Sequence, residues 1–185
     1  MIEHCRVHIT GASGAGVTTL GRALADALAV PHHDTDDYYW LPTNPPYHTK
    51  RPVEDRLRLM HEMFAARSHW VLSGSLSGWG DPLAPLFDLI VFVSAPTNLR
   101  LARIRAREAR RYGADALADG GSRHRESEAF LAWAARYDDD TFDGRNRRRH
   151  ELWLSEQTAP VVRVEGTRPL QSLVSEVAKS LPQRE

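Results

Sequence analysis

Short apolar runs alternate with longer amphipathic segments along this chain. The run at 5–10, Cys-Arg-Val-His-Ile-Thr, contains β-branched residues and ends at a glycine-rich turn, which predicts a strand. The segment 20–29 then repeats Leu and Ala at helical spacing. Thr18 and Thr19 precede it as capping residues and Pro31 follows it as a stop. The chain therefore opens with a strand, a tight turn and a helix.

The same alternation continues to the end of the chain. It predicts helices at 53–67, 98–111, 127–137, 145–156 and 169–181, with strands at 69–73, 86–94 and 160–165. The run Leu-Ile-Val-Phe-Val at 89–93 is apolar at every position, which is typical of a strand buried on both faces of a parallel sheet. We therefore predict one α/β domain over 1–185, with helices on both faces of the sheet.

Composition excludes several classes of protein. Lys+Arg and Asp+Glu both number 24, so the chain has no net charge with which to attract nucleic acid. Its one cysteine, Cys5, cannot form an internal disulfide, and no run of about 18 apolar residues is present to span a membrane. We expect a cytoplasmic monomer or weak homodimer that binds neither nucleic acid nor membranes.

Positive charge is concentrated in one region. Thirteen arginines lie between Arg100 and Arg149, whereas Lys50 and Lys179 are the only lysines in the chain. A stretch of this kind can bind an anionic ligand locally, or it can be a solvated helix surface.

The turn after the first strand is a glycine-rich loop. Its residues are Gly11, Ala12, Ser13, Gly14, Ala15, Gly16, Val17, Thr18 and Thr19. They match G-x-x-x-x-G-K-[ST] except that Val17 occupies the lysine position. The backbone N–H groups of such a loop, together with the following helix N-terminus, bind phosphates. We predict ATP binding here, with the Thr18 hydroxyl as a ligand of Mg²⁺. The alternative is a tight turn capped by threonine.

The missing lysine affects chemistry more than binding. Its amine normally neutralises the β- and γ-phosphates, whereas the backbone donors do not depend on the side chain at Val17. An arginine from elsewhere would have to take over this role.

Carboxylates follow the second predicted strand, in the segment Asp-Thr-Asp-Asp at 34–37. On an extended chain Asp34 and Asp36 point to the same face, beside the loop. One can serve the metal and catalysis, and the other can bind a substrate hydroxyl. The alternative is an Asp-rich turn. His32 and His33 have no other metal ligands nearby in sequence, so we interpret them as structural.

The loop, the Asp-Thr-Asp-Asp segment and the arginine-rich segment together resemble the P-loop small-molecule kinases related to adenylate kinase and shikimate kinase. The resemblance implies a three-layer P-loop fold with a five-stranded parallel sheet of order 2-3-1-4-5. It also implies ATP and Mg²⁺ as cofactors, an acceptor-binding insert at about 36–68 and a helical lid at about 110–140. Val17 is the departure, and it places the chain in a subfamily without the lysine.

Candidate acceptor-binding residues lie in two loops. In the resembled kinases an arginine of the insert clamps the acceptor's anionic group, and Arg51 is the candidate here, with a solvated turn as the alternative. Gly74 and Ser75 stand at the end of the third strand, where a ligand can approach the backbone closely. Trp79 could contact the acceptor or pack in the core. The resemblance alone places Arg168 against the adenine ring.

The arginines supply the remaining candidates. Arg100, Arg103 and Arg107 share one face of a helix, and Arg103 and Arg107 match the lid-entry arginines of the resembled kinases. Arg145 and Arg148 lie one turn apart on the predicted helix 145–156, where they could bind phosphates or form a basic surface. The predicted catalytic set is Arg103, Arg107, Arg145, Arg148 and Asp34. The segment 110–125, rich in glycine and charge, is expected to be mobile without ligand.

The sequence thus predicts a phosphotransferase that moves the γ-phosphoryl group of ATP to a nucleoside monophosphate or a small hydroxylated metabolite. The fourth strand ends at Ser94 and Ala95 without the carboxylate of ATP-driven motors, and no N-K-x-D guanine motif is present. Two alternatives remain: a nucleotide-binding regulatory protein with little turnover, and an ATP hydrolase.

Overall fold

The computed structural model describes residues 5–182 and contains one parallel sheet. Its strands are β1 (Cys5–Gly11), β2 (His32–Asp34), β3 (His69–Ser73), β4 (Leu89–Ser94) and β5 (Val161–Glu165). They lie in the order β2-β3-β1-β4-β5 and all neighbouring pairs are parallel. The predicted fold class and strand order are confirmed.

Eight α-helices connect and cover the described strands. They are α1 (Val17–Leu28), α2 (Thr35–Tyr39), α3 (Val53–Met60), α4 (Thr97–Tyr112), α5 (Ala114–Leu117), α6 (His124–Ala135), α7 (Arg147–Ser155) and α8 (Leu170–Lys179). A π-helical turn, His61–Ala65, extends α3, and 3-10 turns occupy Asp81–Leu86 and Arg136–Asp138. Over 5–182, no helix is long and apolar enough to cross a membrane.

Each face of the sheet has its own core. Val7 and Ile9 of β1 point to one face, where they pack with the apolar sides of α1 and α8. The opposite face carries an aromatic cluster that includes Phe64, Trp70 and Phe92. Alternate residues of each strand face opposite sides, so the apolar runs of the central strands serve both layers. The result is the three-layer architecture that the sequence predicted.

Several predicted boundaries were wrong. The helix expected at 145–156 begins only at Arg147, because the side chain of Asn146 caps it by accepting a hydrogen bond from the Arg149 N–H at 2.8 Å. Helix α6 begins at His124, three residues before the predicted start. Strand β4 begins at Leu89, because residues 81–86 form a 3-10 turn that contains two prolines.

Two further differences concern the predicted site. The chain is not extended through 34–36, because α2 begins at Thr35 and Asp34 caps it. Helix α1 begins at Val17 with Gly16 as its N-cap, so Thr18 and Thr19 lie in its first turn and are not caps. The segment 110–125, which is rich in glycine and charge, contains the short helix α5.

Candidate active site

A cavity of about 1130 Å³ opens at the carboxyl ends of the strands. Ligand sites for one small molecule commonly measure about 300–1,000 Å³, so this cavity is at the large end of that range. The whole glycine loop lines it, together with the following residues that bear charge: Asp34, Asp36, Lys50, Arg103, Arg107, Glu108, Arg110, Arg111, Arg123, Glu126, Arg145 and Arg168. Eight of these residues are cationic and four are acidic. The cavity wall is therefore positively charged, although the whole chain has no net charge.

The loop has the backbone geometry of an anion site. Gly14 and Gly16 have positive φ angles of 81° and 109°, which favour glycine. A Cβ on Gly14 would collide with the carbonyl oxygen of Arg100, so α4 packs directly against the back of the loop. Gly16 then leads into α1, whose N-terminus points into the cavity. The structure therefore places a glycine-rich turn directly before α1, and phosphate binding there stays a prediction.

Thr18 and Asp34 form a hydrogen-bonded pair beside this loop. The Thr18 hydroxyl donates to Asp34 Oδ2 at 2.9 Å, and Asp34 Oδ1 accepts from the Asp36 backbone N–H at 3.1 Å. Both oxygens of Asp34 are thus held in place. A hydroxyl and a carboxylate are hard oxygen donors, and magnesium sites of nucleotide enzymes take few protein ligands besides phosphates and water. This donor set fits Mg²⁺, although no cluster of three His, Cys, Asp or Glu residues that could hold a metal occurs within 5–182.

Asp36 also reaches the cavity, as expected, although by a different route. The first turn of α2, and not an extended strand, brings its carboxylate there. The surrounding protein raises the pKa of Asp36, chiefly by removing water and further through the charge of Asp34, while Arg145 and Arg107 act in the opposite direction. A carboxylate with a raised pKa is suited to accept a proton from a substrate hydroxyl.

The four candidate arginines are placed differently. Arg103 lies against the loop, where Nη1 donates to the carbonyl of Ala15 at 3.1 Å and Nη2 donates to that of Gly166 at 2.8 Å. It joins the glycine loop to the turn after β5. Arg107 lines the cavity from the next turn of α4, with its Nε 3.4 Å from Glu108. Arg148 is exposed and does not line the cavity.

Arg145 makes a direct side-chain contact with the glycine loop. Its Nη2 donates to the hydroxyl of Ser13, in the glycine loop, at 2.6 Å. Its guanidinium lies 5.1 Å from the ring centroid of Trp133. Its buried Nε has no hydrogen-bond partner among residues 5–182. Burial lowers the pKa of Arg145, while Tyr137 and Asp36 oppose that shift. The predicted pairing with Arg148 on one helical face is wrong, because Arg145 precedes α7.

Arg100 was expected to share the phosphate-facing surface, but it is only 1% exposed. Its guanidinium bonds to the carbonyls of Ala95 at 3.2 Å and Ala134 at 3.2 Å, and forms an ion pair with Asp138 at 3.2 Å. A more distant bond, 3.4 Å, reaches the carbonyl of Ser13. Arg100 therefore supports the glycine loop from behind and ties it to the end of α6.

Arg51, the candidate acceptor clamp, does not lie where the sequence analysis expected it. Arg51 donates through Nε to the carbonyl of Tyr38 at 3.0 Å and does not line the cavity. The neighbouring Lys50 does line it, because Lys50 pairs with Trp40 as an antiparallel bridge that folds the loop back. Lys50 was not among the residues predicted from the sequence, because only Arg51 was matched to the acceptor-binding arginine of the resembled kinases.

The remaining predicted residues lie in the cavity wall. Ser75 and Arg168 line it, and Arg168 also pairs with Glu176 at 2.6 Å. Gly74 lines it too, but a Cβ there would collide with Thr35 Oγ1, so this glycine makes room for the start of α2 and not only for a ligand. Trp79 is 8% exposed and serves both the core and the cavity wall.

A parallel sheet of this order with a glycine loop after β1 defines the fold of the P-loop small-molecule kinases. The structure resembles a shikimate kinase from Acinetobacter baumannii solved with shikimate, at 15% identity and a TM-score of 0.54 over 95% of this chain and 92% of that chain. It also resembles a gluconokinase from Sinorhizobium meliloti 1021, at 16% identity and a TM-score of 0.52 over 95% and 90% of the two chains. At such identities the likeness establishes the fold.

The family follows from sequence similarity. No family model matches the chain. The chain is 43% identical over 159 residues to "Uncharacterized protein YqaC" of Bacillus subtilis (strain 168), which covers 86% of this chain and 87% of that protein. The chain belongs to the same family as YqaC.

Proposed function

We propose that this protein is a phosphotransferase that binds ATP with Mg²⁺ and moves the γ-phosphoryl group to a small acceptor. One observation carries the proposal: the Arg145 guanidinium hydrogen-bonds to the glycine loop through Ser13 and lines the same cavity as Asp34 and Asp36. The loop lacks a lysine at Val17, so a cation from another segment has to stabilise the γ-phosphate. Arg145 is that cation.

Each part of the cavity has a role in this proposal. The backbone N–H groups of the loop and the α1 N-terminus hold the ATP phosphates. Arg103 and Arg168, beside the turn after β5, border the adenine site. Thr18 and Asp34 hold Mg²⁺, which when bound neutralises phosphate charge. The insert 36–68 forms the acceptor side, and the segment 110–140, with Arg107, closes over the phosphates as a lid.

The transfer step needs an attacking oxygen, a proton acceptor and charge stabilisation. Asp36 takes the proton of the acceptor hydroxyl as its oxygen forms a bond to the γ-phosphorus. The bond from that phosphorus to the bridging oxygen breaks, and ADP leaves. Arg145 stabilises the charge on the transferred group, a contribution that is largest in the transition state.

Substitution of Arg145 tests the proposal. We expect Arg145→Met to lower kcat for ADP release by on the order of 10²-fold, because the transition-state charge loses its partner, with a smaller change in ATP affinity. Arg148→Met is the matched control, since Arg148 is exposed and outside the cavity. A coupled assay over a panel of acceptors and calorimetry with ATP and Mg²⁺ measure the two quantities. Equal kcat in both variants would refute the role of Arg145, and absence of ATP binding by the wild type would refute the function.

The rival function is a nucleotide-binding regulatory protein, which the valine at position 17 favours. It predicts ATP binding with no turnover for any acceptor, so the same assay separates the two. ATP hydrolysis is the third outcome, recognised by ADP release that no acceptor stimulates.

A further inference from the structure

The hydroxyl of Ser13 joins two segments of the cavity wall that are far apart in sequence. It lies in the glycine loop and accepts a hydrogen bond from Nη2 of Arg145, 132 positions later, at 2.6 Å. Within residues 5–182 neither side chain makes another hydrogen bond. A guanidinium carries about five N–H donors, so most of those on Arg145 have no partner in the described part of the chain.

The rest of Arg145 is held in place without orienting these donors. Asn146, which is 2% exposed, fixes the adjoining backbone, because its Nδ2 donates to the carbonyl of Phe142 at 2.7 Å. The guanidinium lies over the ring of Trp133, 5.1 Å from the ring centroid. A contact with the face of a ring does not determine in which direction the N–H groups point. The Ser13 hydroxyl therefore sets the orientation of the guanidinium.

The backbone of Ser13 does not depend on this hydroxyl. Its carbonyl accepts a hydrogen bond from Arg100 Nη1 at 3.4 Å, and the next residue, Gly14, packs against the backbone of Arg100. Arg100 is itself 1% exposed and is held by other backbone carbonyls. Replacing Ser13 by alanine therefore removes the contact with Arg145 and leaves the loop in place.

Resting on the proposed function, we infer that Ser13 is a positioning residue for phosphoryl transfer, which holds the Arg145 guanidinium in the orientation that meets the γ-phosphate. A guanidinium binds phosphate through its planar fork, so the contact depends on the direction of its N–H groups. Ser13 sets that direction from within the loop that holds the other phosphates. Its hydroxyl takes part in no bond-forming step and acts through Arg145.

Calorimetry with Mg²⁺ tests the inference without turnover. The ligands are ADP and AMP-PNP, the β,γ-imido analogue of ATP, which differ by the γ-phosphate. We expect Ser13→Ala to bind AMP-PNP about three-fold more weakly than the wild type, because the contact with the γ-phosphate loses its alignment, and to bind ADP equally well. Ser94→Ala is the matched control, since Ser94 is a half-buried serine outside the cavity whose hydroxyl donates to the carbonyl of Val164.

Two results of this titration would overturn the inference. Equal or tighter binding of AMP-PNP by Ser13→Ala would show that the hydroxyl does not align Arg145 with the γ-phosphate. An equal loss for ADP and AMP-PNP would show that the hydroxyl serves the loop as a whole.

A double-mutant cycle tests whether Ser13 acts through Arg145. Transfer is measured with shikimate, gluconate, AMP and CMP, using the acceptor that the wild type turns over fastest. Ser13→Ala should lower kcat about ten-fold, with a smaller change in the KM for ATP, since misplacement of Arg145 affects the transition state most. In the Arg145→Met background the same substitution should have no further effect, because the side chain that it positions is gone.

The outcomes of the cycle separate the inference from the proposed function. Losses that multiply in the double variant, or a Ser13→Ala variant as fast as the wild type beside a slowed Arg145→Met, would refute the role of Ser13. A wild type that transfers phosphate to none of the acceptors, or an Arg145→Met variant as fast as the wild type, would instead contradict the proposed function.

Discussion

Two buried histidines should make the fold sensitive to mild acid. His8 lies in β1 and is 0% exposed, and burial lowers its pKa to about 4. His150 of α7 is 1% exposed, with a pKa lowered by burial to about 3. Among residues 5–182 neither Nε2 has a hydrogen-bond partner. Both histidines are neutral in the folded protein, and both take up a proton in the unfolded chain below its ordinary pKa of about 6.5.

The magnitude follows from linkage. Because the folded pKa values are depressed, the unfolded chain binds more protons, so stability is complete above pH 6.5 and falls as the pH decreases toward the folded values. At pH 5 each histidine is 1.5 units below its unfolded pKa, and at about 1.36 kcal/mol per unit this amounts to about 2 kcal/mol each. Together they remove about 4 kcal/mol from a free energy of unfolding that is commonly about 5–15 kcal/mol. Half-buried His32 and His33, whose pKa values are also lowered by burial, add in the same direction.

Urea unfolding at pH 7 and pH 5 measures this loss. His8→Phe keeps a ring that can stack on Phe87, as His8 does at 5.0 Å between centroids, and removes one titrating group. Its loss between the two pH values should be about 2 kcal/mol smaller than that of the wild type. His69→Gln, at an exposed position, is the control and should behave like the wild type. The same pH-dependent loss in His8→Phe and wild type would refute the reasoning.

Three further predictions concern the glycine loop and the lid. Gly14→Ala should weaken ATP binding by ten-fold or more in calorimetry. The φ angle of Gly14 is 81°, and a Cβ at this position would collide with the carbonyl of Arg100. Unchanged affinity would show that the loop does not bind the nucleotide. Val17→Lys should give no gain in kcat, since Arg145 already supplies the cation; a large gain in the coupled assay would contradict that assignment. A non-hydrolysable ATP analogue with Mg²⁺ should protect 110–125 from limited proteolysis, because closure of the lid orders that segment. Unchanged cleavage would argue against closure.

The sequence was most informative where backbone pattern alone determines geometry. The glycine loop, the apolar central strands and the resemblance to P-loop kinases predicted the sheet order and the turn between β1 and α1. These features depend on local spacing and on the parallel arrangement of strands. Both can be predicted from the sequence without knowledge of side-chain contacts.

Side-chain assignments among the arginines were less accurate, because their partners are distant in sequence. Arg51 is held by the carbonyl of Tyr38, a partner 13 positions away, and Arg100 by Asp138, 38 positions away. Arg51 was predicted to bind the acceptor, and Arg100 was grouped with Arg103 and Arg107 on one helix face, because charge and spacing do not show which arginine is held by the protein itself. Arg145 reaches Ser13 across 132 positions, which no local pattern could show.

The central claim is that the guanidinium of Arg145 does the work of the missing lysine, and chemical rescue tests it most directly. Single-turnover transfer of the γ-phosphoryl group from ATP and Mg²⁺ to the acceptor is measured for wild type and for Arg145→Ala, with and without free guanidinium ion. The account predicts a rate lowered by on the order of 10²-fold in the variant and partly restored by guanidinium, which can enter the space left by the side chain. A variant that transfers phosphate at the wild-type rate, or a slowed variant that guanidinium does not restore, would contradict it.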